Sequence, residues 1–302
     1  NITISSGTND YYNIVLGGKV RDANTSVSVT NAGTVVNATN YILVGQNGSS
    51  NTMTVSGGAS VADQAFSVVG LNATASNNSA VVTGVGSTWS SGGLVIGDSG
   101  SGNSMSVEAG AGVVSAGSGV ALGYDVGSSG NSLLVDGSGS TLTSVSDLIV
   151  GFGGSGNSVV VSNGGTLTNS HYSYGGVIGL NSGATNNSVL VTGNGSAWNS
   201  GGDLLVGWGD SGNTLTISNG GAVTSSQVNY GGVIGFNASS TNNSVLVTGS
   251  GSGWSNNSNV AVGYNGSSNS LVVSNGGHVS AEYSYIGRNA GSSNNSVLVT
   301  GS

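Results

Sequence analysis

One spacing leaves this chain few folds to choose from. The pattern N-[ST]-x-x-[VI] begins at Asn51, Asn78, Asn103, Asn131, Asn157, Asn187, Asn213, Asn243, Asn269 and Asn295, with successive gaps of 25 to 30 residues. Self-similarity at a period of 20–50 residues is the mark of a solenoid, in which one short unit stacks on the next. A less regular unit precedes these ten, because Val27 and Val29 imply an anchor at Thr25, with Asn24 just before it.

Three apolar segments recur inside each unit. The first lies two and four residues after the anchor, as in Met53/Val55, Leu133/Val135, Val189/Val191 and Val245/Val247, and the residue between them varies. Such period-two alternation predicts a strand with one face buried. The second segment is a large residue ten or eleven positions after the anchor. The third ends at a Gly, as in "LVIG", "LIVG", "LLVG" and "VAVG". A helical reading fails, because Gly, Ser, Asn, Val and Thr are weak helix formers and Gly-Gly or Asn-Gly pairs punctuate every unit. The fold class predicted is all-β: a parallel β-solenoid of about 10–11 coils, each of ~27 residues with three short strands. At ~4.8 Å per stacked strand, about ten coils make a rod of roughly 50 Å.

The anchor Asn has a physical role in such a rod. Asn tolerates left-handed backbone geometry and its amide bonds to nearby backbone, while stacked Asn side chains can bond to one another as a ladder. A second periodicity spans two coils. "TGxGSxW" places Trp89, Trp198 and Trp254 eleven residues after their anchors, with Leu142 at the same offset. The alternating "SNGGxV/L" coils place Leu167, Val223 and Val279 at offset ten. Large and smaller residues thus alternate along the stack, as interdigitated packing favours.

Composition narrows the function. Charged residues are 5% of the 302, Gly numbers 57, and apolar residues reach 36%. Disorder goes with low hydrophobicity and high charge, so this low-charge, Val-rich chain is read as folded. The net charge is −8 and the basic residues are Lys19, Arg21 and Arg288 alone. Nucleic-acid binding needs many cations to displace phosphate counterions, so it is excluded; anionic membrane surfaces are disfavoured for the same reason. No apolar run nears the roughly 20 residues that span a bilayer, so this segment is not expected to insert in a membrane. Zero Cys removes disulfides and thiolate chemistry together.

The residue after the strand-three Gly offers a candidate binding row. It is Tyr124, Phe152, Leu180, Trp208, Phe236 and Tyr264, spaced by 28 each time. Facing outward, these side chains form an apolar ladder about 25 Å long, suited to sugar rings or a partner surface; turned inward, they close a corner of the core. Tyr172, Tyr174, Tyr230, Tyr283 and Tyr285 belong to every second coil. They either line one flank for recognition or are simply solvent-facing strand residues.

Catalytic groups are sparse. His171 and His278 lie four coils apart and should not meet. Asp98, Asp125 and Asp210 fall just after the strand-three Gly. Asp147 and Asp203 share an offset two coils apart, roughly 10 Å, near the carboxylate separations glycosidases use, but without Arg or Lys beside them. Calcium-dependent solenoids repeat an Asp in each turn, and most turns here have none. The expectation is no enzyme activity, no cofactor and no metal. The N-x-[ST] sequons follow from the Asn/Ser-rich turns.

The units "NSVLVTGNGSAWNSGGDLLVGWGDSG" and "NTLTISNGGAVTSSQVNYGGVIGFNASS" resemble repeats of bacterial autotransporter passenger domains and related giant surface adhesins, over residues 24–302. That resemblance implies a right-handed parallel β-helix, secretion to the cell surface, and a stalk, adhesin or fibre role. Residues 1–23 fit the repeat poorly and are read as an irregular first coil or an N-terminal cap. The chain lacks an initial Met and its last "NNSVLVTG" opens a coil it does not finish, so it is expected to be a segment of a longer rod. Expected partners are further copies, end to end or as fibres, and a glycan or a host or neighbouring cell surface. The alternative is a carbohydrate-binding or polysaccharide-degrading β-helix, which needs the aromatic row exposed beside Asp98, Asp125 or Asp210.

Overall fold

Every strand pairs with the strand one coil away, and none with its chain neighbour. A computed structural model describes residues 1–170, 174–226 and 229–301. In it, three parallel sheets of 12, 11 and 11 strands run along the axis, each taking every third strand in order. The described residues form eleven three-stranded coils, and Ser296–Thr300 begins a twelfth. The residues within 1–23 enter this arrangement too: Ile2–Ile4, Thr8–Tyr11 and Ile14–Leu16 form the first coil, with Ile2 opposite Val27 and Leu16 opposite Val44. Among the described residues no helix is long and apolar enough to cross a membrane.

Register follows from the alternation. Opposite each other in the first sheet stand Met53, Ala80, Met105, Leu133, Val159, Val189 and their successors, with all six of these side chains buried. The offsets of ten and eleven prove to be one structural position. Trp89 lies opposite Val61 and Val113, and Trp198 opposite Leu167 and Val223. The extra residue is absorbed in the preceding turn, where the Ser of "TGxGSxW" is buried. Its hydroxyl accepts the N–H of the Gly that follows the left-handed turn residue of the previous coil: Gly58 to Ser87, Gly110 to Ser140, Gly164 to Ser196 and Gly220 to Ser252, at 2.9–3.0 Å. That bond is the physical content of the two-coil period.

The anchor Asn residues stand in file inside one corner of the tube. Asn51 through Asn269 are 0% exposed. Each Oδ1 accepts both the backbone N–H (2.8–3.0 Å) and the Nδ2–H (3.0–3.2 Å) of the Asn one coil earlier. Asn295 closes the file half-buried, and Thr25 opens it, its N–H reaching Asn51 Oδ1 at 3.0 Å. The left-handed geometry expected of the anchor belongs to the residue before it. Asn24, Ser50, Asn77, Asn186, Asn242, Ser268 and Asn294 have φ of 55–58°, and Gly fills the place elsewhere. The corner thus divides its work between two residues, one bending the chain and the next bonding along the axis.

The Gly ending strand three is required twice over. At Gly151 φ is +78°, and a Cβ there would sit 2.2 Å from Asn187 Nδ2; Gly97 meets Asn131 and Gly207 meets Asn243 at the same distance. The Asn file therefore presses directly against a row of glycines.

Core volume is matched between coils. Trp89, Trp198 and Trp254 are buried, and in each case the preceding coil has a small residue at one register position of its third strand, opposite Leu94, Leu204 or Val260: Ser67, Gly176 or Gly232. A Cβ on Gly176 would fall 2.5 Å from Trp198 Cζ2, and one on Gly232 2.5 Å from Trp254 Cζ2. Where Leu142 replaces Trp, the corresponding residue is Val120.

Candidate functional site: the outer face of the third sheet

The third sheet is apolar on both faces. Its inward residues, such as Ile96, Val150 and Val206, join the main core. Its outward residues stand in line as Val68, Val95, Ala121, Ile149, Val177 and Leu205, then Val233 and Ala261. Such a row outside the tube needs a cover, and the chain supplies one over part of its length.

The 28-spaced ladder is that cover. Its side chains lie outside the tube, because the positive-φ Gly before each one breaks strand alternation: Val150 points in, Gly151 turns the chain, and Phe152 comes out. Leu180, Trp208, Phe236 and Tyr264 pack with Tyr230 and Tyr285 over Val177, Leu205, Val233 and Ala261, all four at 0% exposure. Ladder rings stack along the axis: Tyr124 on Phe152 at 4.4 Å, Trp208 on Phe236 at 4.2 Å, and Phe236 on Tyr264 at 5.0 Å. Such offset ring pairs add about 0.5–1.5 kcal/mol each beyond burial.

A second set of rings closes over the row from the other side. Tyr230 meets Phe236 and Tyr264 edge-on at 4.8 and 5.4 Å, and Tyr174 meets Trp208 edge-on at 4.9 Å. Both tyrosines come from the connections between strands two and three in the two coils whose anchor gap is 30. Tyr285 lies half-buried at the end of the row and Tyr283 is exposed beside it; Arg288 sits 4.7 Å above the Tyr264 ring and 4.8 Å from that of Tyr285. His171 and Tyr172 lie outside the described residues, and His278 is exposed.

The acidic residues fall into two groups. Asp147 and Asp203 hold the long connections of the following coils. Asp147 Oδ1 accepts Gly175 N–H at 3.0 Å. Asp203, wholly buried, accepts the N–H groups of Asn229, Tyr230 and Gly231 at 3.3, 3.1 and 2.8 Å. Asp210 similarly accepts Gly183 N–H at 2.7 Å. Asp98 and Asp125 differ. Asp98 occupies the ladder position itself, beside Tyr124, and its carboxyl is pushed above the usual range first by burial and then by the Asp125 carboxylate. The Ser99 hydroxyl lies between the two acids and donates to Asp125 Oδ2 at 2.6 Å. Among the described residues no group of three or more His, Asp or Glu side chains is placed to hold a metal.

Sequence reasoning located the ladder but not the outward row beneath it, nor the acid one coil before each long connection.

The fold and this face define an all-β parallel solenoid with an external aromatic flank. No protein-family model matches the chain, and no curated protein is similar to it. Among solved structures it is similar to a hyper-glycosylated TibA fragment whose glycosylation is catalysed by TibC, at 16% identity over 100% of both chains with a TM-score of 0.31.

Proposed function

We propose that this chain is an extracellular structural and adhesive segment of a large bacterial surface protein, a stalk, adhesin or fibre subunit that performs no catalysis. The observation that carries this reading is the division of labour around the coil. One corner is given to an uninterrupted axial file of buried amides, and one flank to an ordered outward aromatic face. A stack tied coil to coil is a spacer, and an apolar flank is a contact surface. Asp147 and Asp203 accept backbone N–H groups, which supports a positioning role for them rather than proton transfer. The partners that fit are a glycan or a neighbouring cell surface along the flank, and further copies joined end to end.

Antibody labelling of intact cells, with electron microscopy of the native protein, tests the reading. Surface label and thin rods are expected; label only after lysis would refute it. A second reading, polysaccharide cleavage, is favoured by Asp98 lying raised in pKa beside Asp125 and Tyr124. Release of new reducing ends from a polysaccharide panel would establish it.

A further inference from the structure

The aromatic cover has a gap. Coils four to six present the same outward row as later coils, but Val95, Ala121 and Ile149 are only half-buried, against 0% exposure for Val177, Leu205, Val233 and Ala261. No connection in these coils delivers a tyrosine over the row, because strands two and three are joined there by short turns such as Gly92-Gly93 and Val145–Asp147. The result is a groove of about 540 Å³, walled by Phe66 and Leu71 at one end and Tyr124 and Phe152 at the other, with Asp98 and Asp147 on its rim. Small-ligand sites span about 300–1,000 Å³.

The ladder defines what fits. Reading from coil three, its positions hold Leu71, Asp98, Tyr124 and Phe152. Phe152 stacks on one face of Tyr124. The step on the other side holds a carboxylate instead of a ring, and Tyr124 is 41% exposed. One coil step is ~4.8 Å, so the opening is bounded on one side by a ring face and at its base by an acid.

Three chemistries could use such a step. An acidic sugar would face Asp98 and Asp125 without a cation, since Lys19 and Arg21 lie in the turn of the first coil and Arg288 sits on Tyr264. An ammonium group would find the carboxylate but would lose its hydration over an aliphatic floor. A neutral sugar satisfies both surfaces, with apolar C–H groups on one face and hydroxyl donors on its edge. We infer that this step binds one hexopyranose ring of a neutral glycan, with its C–H face on Tyr124 and its hydroxyls donating to Asp98. Bonds from hydroxyls to an ionised carboxylate are about twice as strong as neutral ones, and a half-buried acid near a second acid gains most from such donors. The inference rests on the adhesive reading and names the ligand of its lateral face.

The test uses the intact chain and saturation-transfer difference NMR, with neutral gluco-, manno- and galacto-tetrasaccharides as probes and oligogalacturonate and oligolysine as controls. At least one neutral tetrasaccharide should bind, with saturation concentrated on the C–H protons of one ring. Tyr124→Ala should weaken it at least about tenfold and Asp98→Asn at least about threefold. Tyr124→Phe should bind within about twofold, and Tyr12→Ala, exposed in the first coil, should change nothing. If Tyr124→Ala proves poorly folded, the isosteric Asp98→Asn and the ring-proton map decide. Absence of binding by every neutral probe overturns the inference, as does binding indifferent to both Tyr124→Ala and Asp98→Asn, or binding of oligolysine in their place. Glycan binding by a chain found only inside cells would refute the surface reading and leave the groove assignment standing.

Discussion

Exchanging the volumes of two residues in adjacent coils should cost much less than changing either alone. Trp198 is 0% exposed, and a Cβ on Gly176 would already lie 2.5 Å from its Cζ2 and 2.9 Å from Leu204 Cδ1. Gly176→Val adds two further carbons in that direction. Overpacking of this kind typically costs about 1–3 kcal/mol, here toward the upper end because both neighbours are rigidly held. Trp198→Leu leaves a cavity and removes the indole donor that reaches Asn169 Oδ1 at 2.8 Å, together roughly 2–4 kcal/mol. The double variant recreates a combination the chain already uses, Val120 before Leu142. The lost indole bond is common to the single and double variants and cancels from the coupling. The double variant should therefore be less destabilised than the sum of the singles by at least about 2 kcal/mol, within the range seen for contacting residues. Because a solenoid need not unfold as one unit, the assay is native-state hydrogen exchange at Val177 and Val206 alongside urea unfolding followed by circular dichroism. Additivity within about 0.5 kcal/mol would refute the claim that these residues share one volume.

Three other outcomes follow from the interior. Asn157→Ala strands the backbone N–H and Nδ2–H of Asn131, which now bond at 2.9 and 3.0 Å, and should cost roughly 2–6 kcal/mol in urea unfolding for two buried donors. Among the described residues Trp254 Nε1 has no acceptor, whereas Trp198 has Asn169 paired with Ser200; exchanging Ser225 and Asn256 (Ser225→Asn with Asn256→Ser) should supply one, gain about 1 kcal/mol and shift the indole N–H resonance downfield. Burial first, against hydrogen bonds from Ser67 and Ser91, raises the Asp63 carboxyl above its ordinary 3.8. The folded state then holds more protons than the unfolded one between 3.8 and the raised value. That contribution is fully present below 3.8 and is lost as pH rises through the folded value. The urea midpoint of the wild type should accordingly fall from pH 4 to pH 7 more than that of Asp63→Asn.

How much of this was legible depends on what each residue answers to. Met53/Val55 and their equivalents could be read because period-two alternation and burial are the same fact in a stacked strand. The direction of Phe152 could not, because the Gly before it decouples chain position from face. The pairing of Trp198 with Gly176 was also hidden. It joins residues 22 apart in different coils, so it becomes visible only once register is known. Within 1–23, Asn13, Ile14 and Leu16 fill a coil without the anchor Asn that marks the others, and recognition by motif passes over such a unit. Asp203 looked like half of a carboxylate pair; its oxygen instead gathers three N–H groups of the next coil's connection.

The Asn file has a direction. From Asn51 to Asn269 every Asn-to-Asn bond runs from Nδ2–H to the Oδ1 of the coil that follows in sequence, and none runs the other way; the second N–H of Asn157 and of Asn269 goes to the Ser128 and Ser240 carbonyls beside the file. The side-chain amide dipoles are therefore all parallel to the axis, and the rod is a vector with a donor-facing and an acceptor-facing end. Two such rods cannot extend this file by meeting through like ends, since donors would face donors. Assembly that continues it must be head to tail, a heterologous contact that propagates into open filaments and cannot close as a symmetric pair.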